Sequence, residues 1–153
     1  MTDGSDGDVA ALPLDTVRLA IELEIPSDIR YIERVVELVT GQCAQLCYTA
    51  RHCALNVPVA LTEALANAIL RGNGENREKH VRVTARLDFT RLVMEVSDEG
   101  EGFDIDDCTI DPTTGDNVMR EDGRGLFLMR RLMDSVERFS DHGNVVRLTL
   151  LRG

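Results

Sequence analysis

The segment Glu63-Ala64-Leu65-Ala66-Asn67 places a carboxylate and a carboxamide four residues apart. On a helix that spacing projects both side chains from one face. The amide oxygen can ligate a divalent cation, and the carboxylate can orient or deprotonate an acceptor hydroxyl, a pairing suited to phosphoryl transfer. Taken alone, it is also what an ordinary solvated helix face carries. A second cluster, Asp98-Glu99-Gly100-Glu101-Gly102-Phe103, follows a strand. Asp98 can accept a hydrogen bond from a ligand amine, while Gly100 and Gly102 permit positive φ and close backbone approach. No helix opens at these glycines and the third glycine of a dinucleotide fingerprint is missing, so a Rossmann loop is excluded and a plain turn is the alternative. The third cluster, Gly123-Arg124-Gly125-Leu126, lies between a long loop and a helix. Free N–H groups at a helix start favour phosphate oxygens, although a hinge would carry the same glycines.

The elements around these clusters can be read from periodicity. Val17, Leu19, Ile21, Leu23 and Ile25 alternate with polar residues, which predicts a strand with one wet face, ended by Pro26. Ser27 is placed to cap the next helix, with Asp28 in its first turn and Ile29, Ile32, Val35, Val36 and Val39 on its apolar face. Gly41 interrupts or closes that helix, and Gln42 to Leu55 reads as helix again. Pro58 opens another, with Leu61, Leu65, Ala68 and Ile69 buried, which stops at Gly72-Asn73-Gly74. Strands are expected at Val81–Asp88 and Leu92–Asp98. The stretch from Glu99 to Asp122 has no clear periodicity, and loops that long are more often functional than accidental. A helix carrying Leu126, Phe127, Met129, Leu132 and Met133 precedes a hairpin of Val136–Ser140 and Val145–Leu151. Helices and strands without regular alternation point to an α/β (α+β) two-layer sandwich, a mixed but mostly antiparallel sheet covered on one face by helices. Residues 1–15 read as a flexible acidic tail, and 16–153 as one domain.

Composition narrows the function. The 153 residues carry a net charge of −10, which works against binding nucleic acid. Lys79 is the only lysine, so a Walker loop is impossible and any nucleotide site is built another way. No apolar run approaches the ~20 residues that span a bilayer, and the N-terminus lacks the features of a secretory signal. A cytoplasmic protein without membrane contact is expected. Cys43, Cys47 and Cys53 match no common zinc spacing, and Cys43 and Cys47 read as a buried pair on one helix face; Cys108 is the fourth cysteine.

In their order and spacing, E-x-x-x-N on a helix, D-x-G-x-G after a strand and G-x-G-L before a helix resemble the N, G1 and G2 boxes of the GHKL (Bergerat) ATPase superfamily. The surrounding wording, EALANAI, SDEGEGFD and GRGLFLMRRLMD, is similar to the anti-sigma-factor serine kinases related to RsbW and SpoIIAB. The resemblance covers about residues 16–152. It implies ATP and Mg²⁺ as cofactors, Asn67 as the Mg²⁺ ligand and Glu63 as the base that activates the acceptor hydroxyl. It further implies Asp98 on the exocyclic amine of adenine, with Gly100 and Gly102 shaping that pocket. Gly123, Arg124, Gly125 and Leu126 would line the triphosphate, and residues 105–122 would form the lid. The implied partners are a STAS-domain anti-sigma antagonist as substrate and a sigma factor as competitor, with homodimerisation through the first strand consistent with the resemblance. A non-catalytic ATP-binding module that sequesters a partner is the other reading. Departures are Asp122 where many relatives have glycine, Gly143-Asn144 in place of Gly-Thr, and Leu70-Arg71-Gly72-Asn73 in place of a His-containing end to the N box.

Overall fold

The structure, a computed structural model, describes residues 18–100 and 121–153, with the backbone alone for 121–123. Its frame is a five-stranded sheet in the order β1-β2-β3-β5-β4. The strands are β1 (Arg18–Pro26), β2 (His80–Asp88), β3 (Arg91–Ser97), β4 (Ser135–Ser140) and β5 (Asn144–Leu151). All four pairings are antiparallel. Their period-2 pattern sorts side chains between a dry and a wet face. Val81, Val83, Ala85 and Leu87 of β2 and Leu92, Met94 and Val96 of β3 are buried, as are Val146, Leu148 and Leu150 of β5. On the other face the register sets Arg147 directly between Glu95 and Glu137. Its guanidinium reaches Glu95 at 2.7 Å and Glu137 at 3.4 Å, and lies 4.8 Å above the Phe139 ring.

Helices cover the dry face. α1 (Ile32–Gln45) contributes Val35, Val39 and Cys43 to the core. α2 (Val57–Asn67) contributes Val57, Ala60, Leu61, Ala64 and Leu65, and α3 (Glu121–Leu132) adds Leu126 and Met129. The two-layer expectation therefore holds, with every observed pairing antiparallel.

Local boundaries differ from the sequence reading in instructive ways. Asp28, not Ser27, caps the entry to α1 by accepting from the Arg30 amide at 2.9 Å, while the Ser27 hydroxyl donates to the Lys79 carbonyl at 2.7 Å. Ile29 precedes α1 in a short 3₁₀ turn and is exposed rather than on the apolar face. α1 runs straight through Gly41, whose missing side chain meets nothing, and the break comes at Leu46 to Thr49. There Cys47 adopts φ +63° and is exposed, so the expected buried pair reduces to Cys43 alone, whose thiol burial pushes up to about 12.

Pro58 stands at the start of α2, as expected, but the helical run does not begin there: it starts at Ala50 and passes through a π-helical stretch, His52–Asn56, just ahead of the proline. Proline has no N–H to donate to the preceding turn, and a widened turn accommodates that gap. A second π-helical stretch, Ala68–Gly72, ends the run, and Gly74 turns away at φ +60°. Contrary to the reading of apolar runs, His52–Gly72 is long and apolar enough to cross a membrane by length and composition alone. Leu61, Leu65 and Ile69 are wholly buried under it, which makes it the central core helix.

A non-glycine residue in the left-handed region costs about 1–2 kcal/mol. Cys47→Gly should therefore raise stability by about 0.5–1 kcal/mol after the greater flexibility of unfolded glycine is subtracted. Urea denaturation reads this directly, and a lower midpoint at unchanged slope would contradict it.

Candidate functional site

Glu63 and Asn67 are half-buried one turn apart on α2. Their side chains point at the start of α3. A Cβ added to Gly125 would lie 2.8 Å from Glu63 Oε1 and 3.4 Å from Asn67 Nδ2. Gly125 thus lets the two helices close on a carboxylate and a carboxamide without pushing them aside. The Gly123-Arg124-Gly125-Leu126 cluster was expected just before a helix; it lies inside α3, in its first turns. Arg124 is exposed and Leu126 is buried, so of these two side chains only that of Arg124 is presented to solvent.

Asp98 stands at the end of β3 and is 6% exposed. Its Oδ1 accepts from the Gly100 amide at 2.8 Å and from Asn144 Nδ2 at 3.0 Å. The Asp98 amide in turn donates to the Asn144 carbonyl at 2.9 Å. Burial raises the carboxyl above the ordinary aspartate range, and the two donors oppose that shift without overcoming it. Both described donors take Oδ1, which leaves Oδ2 turned toward Gly72.

Three glycines press on this carboxylate and its backbone. A Cβ on Gly72 would lie 2.0 Å from Asp98 Oδ2, one on Gly100 2.0 Å from the Gly72 carbonyl oxygen, and one on Gly143 2.0 Å from the Asp98 carbonyl oxygen. Gly100 has a negative φ, so close approach rather than an unusual backbone is what it supplies here; only Gly143, at φ +141°, needs both. Gly72 is five residues beyond Asn67, about 7 Å along the helix axis. All three sequence clusters therefore meet along one helical run: Gly125 against its middle and Asp98 against its end. Gly72, Gly143 and Asn144 had shown in the sequence only as turn-forming or divergent residues. Nothing in the spacing ties them to Asp98, because the contacts join positions 26 to 46 residues apart. Gly102 and Cys108 lie outside the described residues, as do residues 105–120 of the lid expected over 105–122, while Glu121 and Asp122 already belong to α3. Among the described residues no cluster of three or more His, Cys, Asp or Glu could hold a metal ion, so a cation here would depend on the Glu63–Asn67 pair and its ligand.

The profile of the histidine kinase-like ATPase domain matches residues 25–150. Curated relatives include the serine-protein kinase RsbW of Bacillus velezensis, 30% identical over 84% of this chain and 83% of the relative. The serine-protein kinase RsbW of Bacillus pumilus is 32% identical over 88% of this chain and 86% of its own length. A crystal structure of the RsbU and RsbW domains of a Mycobacterium tuberculosis protein superposes with a TM-score of 0.63 at 16% identity. That likeness covers 87% of this chain and 32% of the longer one, and it concerns the fold.

The glycine contacts predict an order of tolerance. Gly72→Ala and Gly100→Ala drive a methyl into a carboxylate or a carbonyl that cannot easily yield, and should cost about 1–3 kcal/mol each. Gly125→Ala meets the movable end of Glu63 and should cost well under half as much. Thermal melting of the three variants checks the ranking, which fails if Gly125→Ala is the most damaging.

Proposed function

The chain belongs to the histidine kinase-like ATPase family, among the RsbW serine-protein kinases, and from that premise we propose that it is an ATP-dependent anti-sigma factor that phosphorylates a STAS-domain antagonist. The observation that carries the reading is the convergence on one helical run of a carboxylate–carboxamide pair and a buried aspartate. Each is set against a glycine whose missing side chain lets backbone and polar group approach closely.

The residues fit ATP at both ends. Asp98 Oδ1 already accepts two hydrogen bonds, and Oδ2, with none among the described residues, is the oxygen that would accept from the exocyclic amine of adenine. The N–H groups at the start of α3, Gly123 among them, offer donors to the triphosphate, and exposed Arg124 offers a positive charge. Asn67 would supply the side-chain oxygen for Mg²⁺, which when bound would offset negative charge on the phosphates. Glu63 accepts the proton of the serine or threonine hydroxyl as its oxygen attacks the γ-phosphorus. The bond from that phosphorus to the β–γ bridging oxygen breaks, and ADP departs with the electron pair. The polar pair is held half-buried between two helices, so water is partly excluded from the reacting end.

A sigma factor is the partner released or held as the antagonist's phosphorylation changes. The cytoplasm is the compartment in which such a chain acts, and a homodimer is the expected assembly.

ATP·Mg²⁺ at about 100 times its dissociation constant should stabilise the protein by roughly 2.7 kcal/mol. Asp98→Asn and Asn67→Ala should both shrink that shift, and a well-folded wild type with no shift would sink the ATP reading. Glu63→Gln should retain the shift but slow transfer to a STAS-domain substrate by about 10²–10⁴-fold. ATP binding without transfer by the wild type would instead indicate a sequestering module. Asp98 is the stronger acceptor for the amine when ionised, and burial raises its carboxyl. ATP affinity should therefore fall on acidification at a pH above that of an ordinary aspartate, and Asp98→Asn should remove this dependence; isothermal titration across pH reads it.

A further inference from the structure

We propose that Asn73 is a positioning residue for the base-reading end of the site, acting on Asp98 through the backbone of Glu99 and Gly100; this rests on the ATP-binding reading above. Asn73 follows the helical run, is 4% exposed, and uses its whole carboxamide. Its Oδ1 accepts from the Glu99 amide at 2.8 Å. Its Nδ2 donates to Ser27 Oγ at 2.8 Å and to the His80 carbonyl at 3.0 Å. The amide orientation is fixed by these partners, since Oδ1 meets an N–H and Nδ2 meets a carbonyl. Ser27, itself 2% exposed, passes its own proton to the Lys79 carbonyl.

One side chain therefore ties together the exit of β1, the end of the helical run, the entry of β2 and the exit of β3. A buried carboxamide is costly unless every polar atom is satisfied, so its position is stiffly determined. The residue it grips lies between two parts of the site. Glu99 separates Asp98 from Gly100, whose amide holds Asp98 Oδ1. Gly100 also presses on the carbonyl of Gly72, the residue just before Asn73, and Gly72 presses on the Asp98 carboxylate. The pair Gly72-Asn73 thus sets the carboxylate by steric contact and the backbone after it by a hydrogen bond. Without the carboxamide, the Asp98-Glu99-Gly100 turn loses its outer anchor, and the carboxylate loses its fixed aim at a base amine. Aspartate could not replace Asn73, because it has no donor for Ser27 or His80.

The test compares dissociation constants for ATP and ITP, which carries an oxo group where adenine has its amine. The proteins are the wild type, Asn73→Ala, Ser27→Ala and Asp98→Asn, each melted first without ligand. The wild type should prefer ATP. Asn73→Ala should weaken ATP by about five- to tenfold, the worth of one hydrogen bond, and leave ITP nearly unchanged, so that the preference collapses. Ser27→Ala removes only one of the anchoring bonds and should shift the preference in the same direction by less. A purely structural Asn73 would lower the melting temperature and weaken both nucleotides alike, and that result overturns the proposal. So does an unaltered preference in the variants. A wild type that binds ATP and ITP equally would overturn the Asp98 reading and this one with it. If Asn73→Ala does not fold, Ser27→Ala decides the matter alone.

Discussion

A carboxylate taken out of water has to be solvated again by the protein, and at the end of β3 that demand organises everything nearby. Asp98 is buried, and its Oδ1 is met by one backbone amide and one side-chain amide. Its remaining oxygen is walled by Gly72, and its own carbonyl by Gly143. Any larger residue at those glycines would fill the space the carboxylate needs. Two turns and the end of the central helix are therefore fixed by one charged group. Such a group is expensive in a merely structural role, where a neutral residue would serve as well. Its retention is coherent with a partner that arrives with a hydrogen to donate.

The second constraint is the helical run that links the two ends of the site. Its middle is α-helical, where Glu63 and Asn67 face α3, and both ends widen to π-helix. π-helical turns alter the phase at which side chains leave the axis and are frequent at functional sites. Here the first accommodates Pro58, and the second delivers Gly72 to Asp98 and Asn73 to Glu99. The apolar residues between them, Leu61 and Leu65, lock the run to the sheet, so the two ends of the site are held at a fixed separation.

Much of this was legible in the sequence. Alternation placed all five strands within a residue or two, and the three polar clusters were recognisable because each pairs chemistry with a particular local geometry. What spacing could not show is long-range contact. Asn144 and Asp98 are joined over 46 residues, and Ser27 and Asn73 over the same span. Local signals also misled where tertiary packing overrode them. Gly41 suggested a helix end yet sits on an exposed face of a helix that simply continues. The real stop, at Cys47, depends on Tyr48 being drawn into the core, where its hydroxyl donates to the Asp88 carbonyl at 2.8 Å. Pro58 suggested a start, but the chain is helical well before it.

The strand order carries a consequence for how the chain is assembled. β2 with β3 and β4 with β5 are hairpins, closed by short turns and able to form from neighbouring residues. β1 is different, since Arg18 pairs with Asp88 and Pro26 with His80, so its partner is made only after α1 and α2. Pairings across such separations must meet the entropy of a long loop before any contact rewards it, and they slow folding. As the chain emerges from the ribosome, the apolar face of β1, with Leu19, Ile21 and Leu23, waits unpaired while more than fifty residues follow. The alternating Arg18, Glu22 and Glu24 on its other face disfavour its pairing with a strand of another unfolded chain.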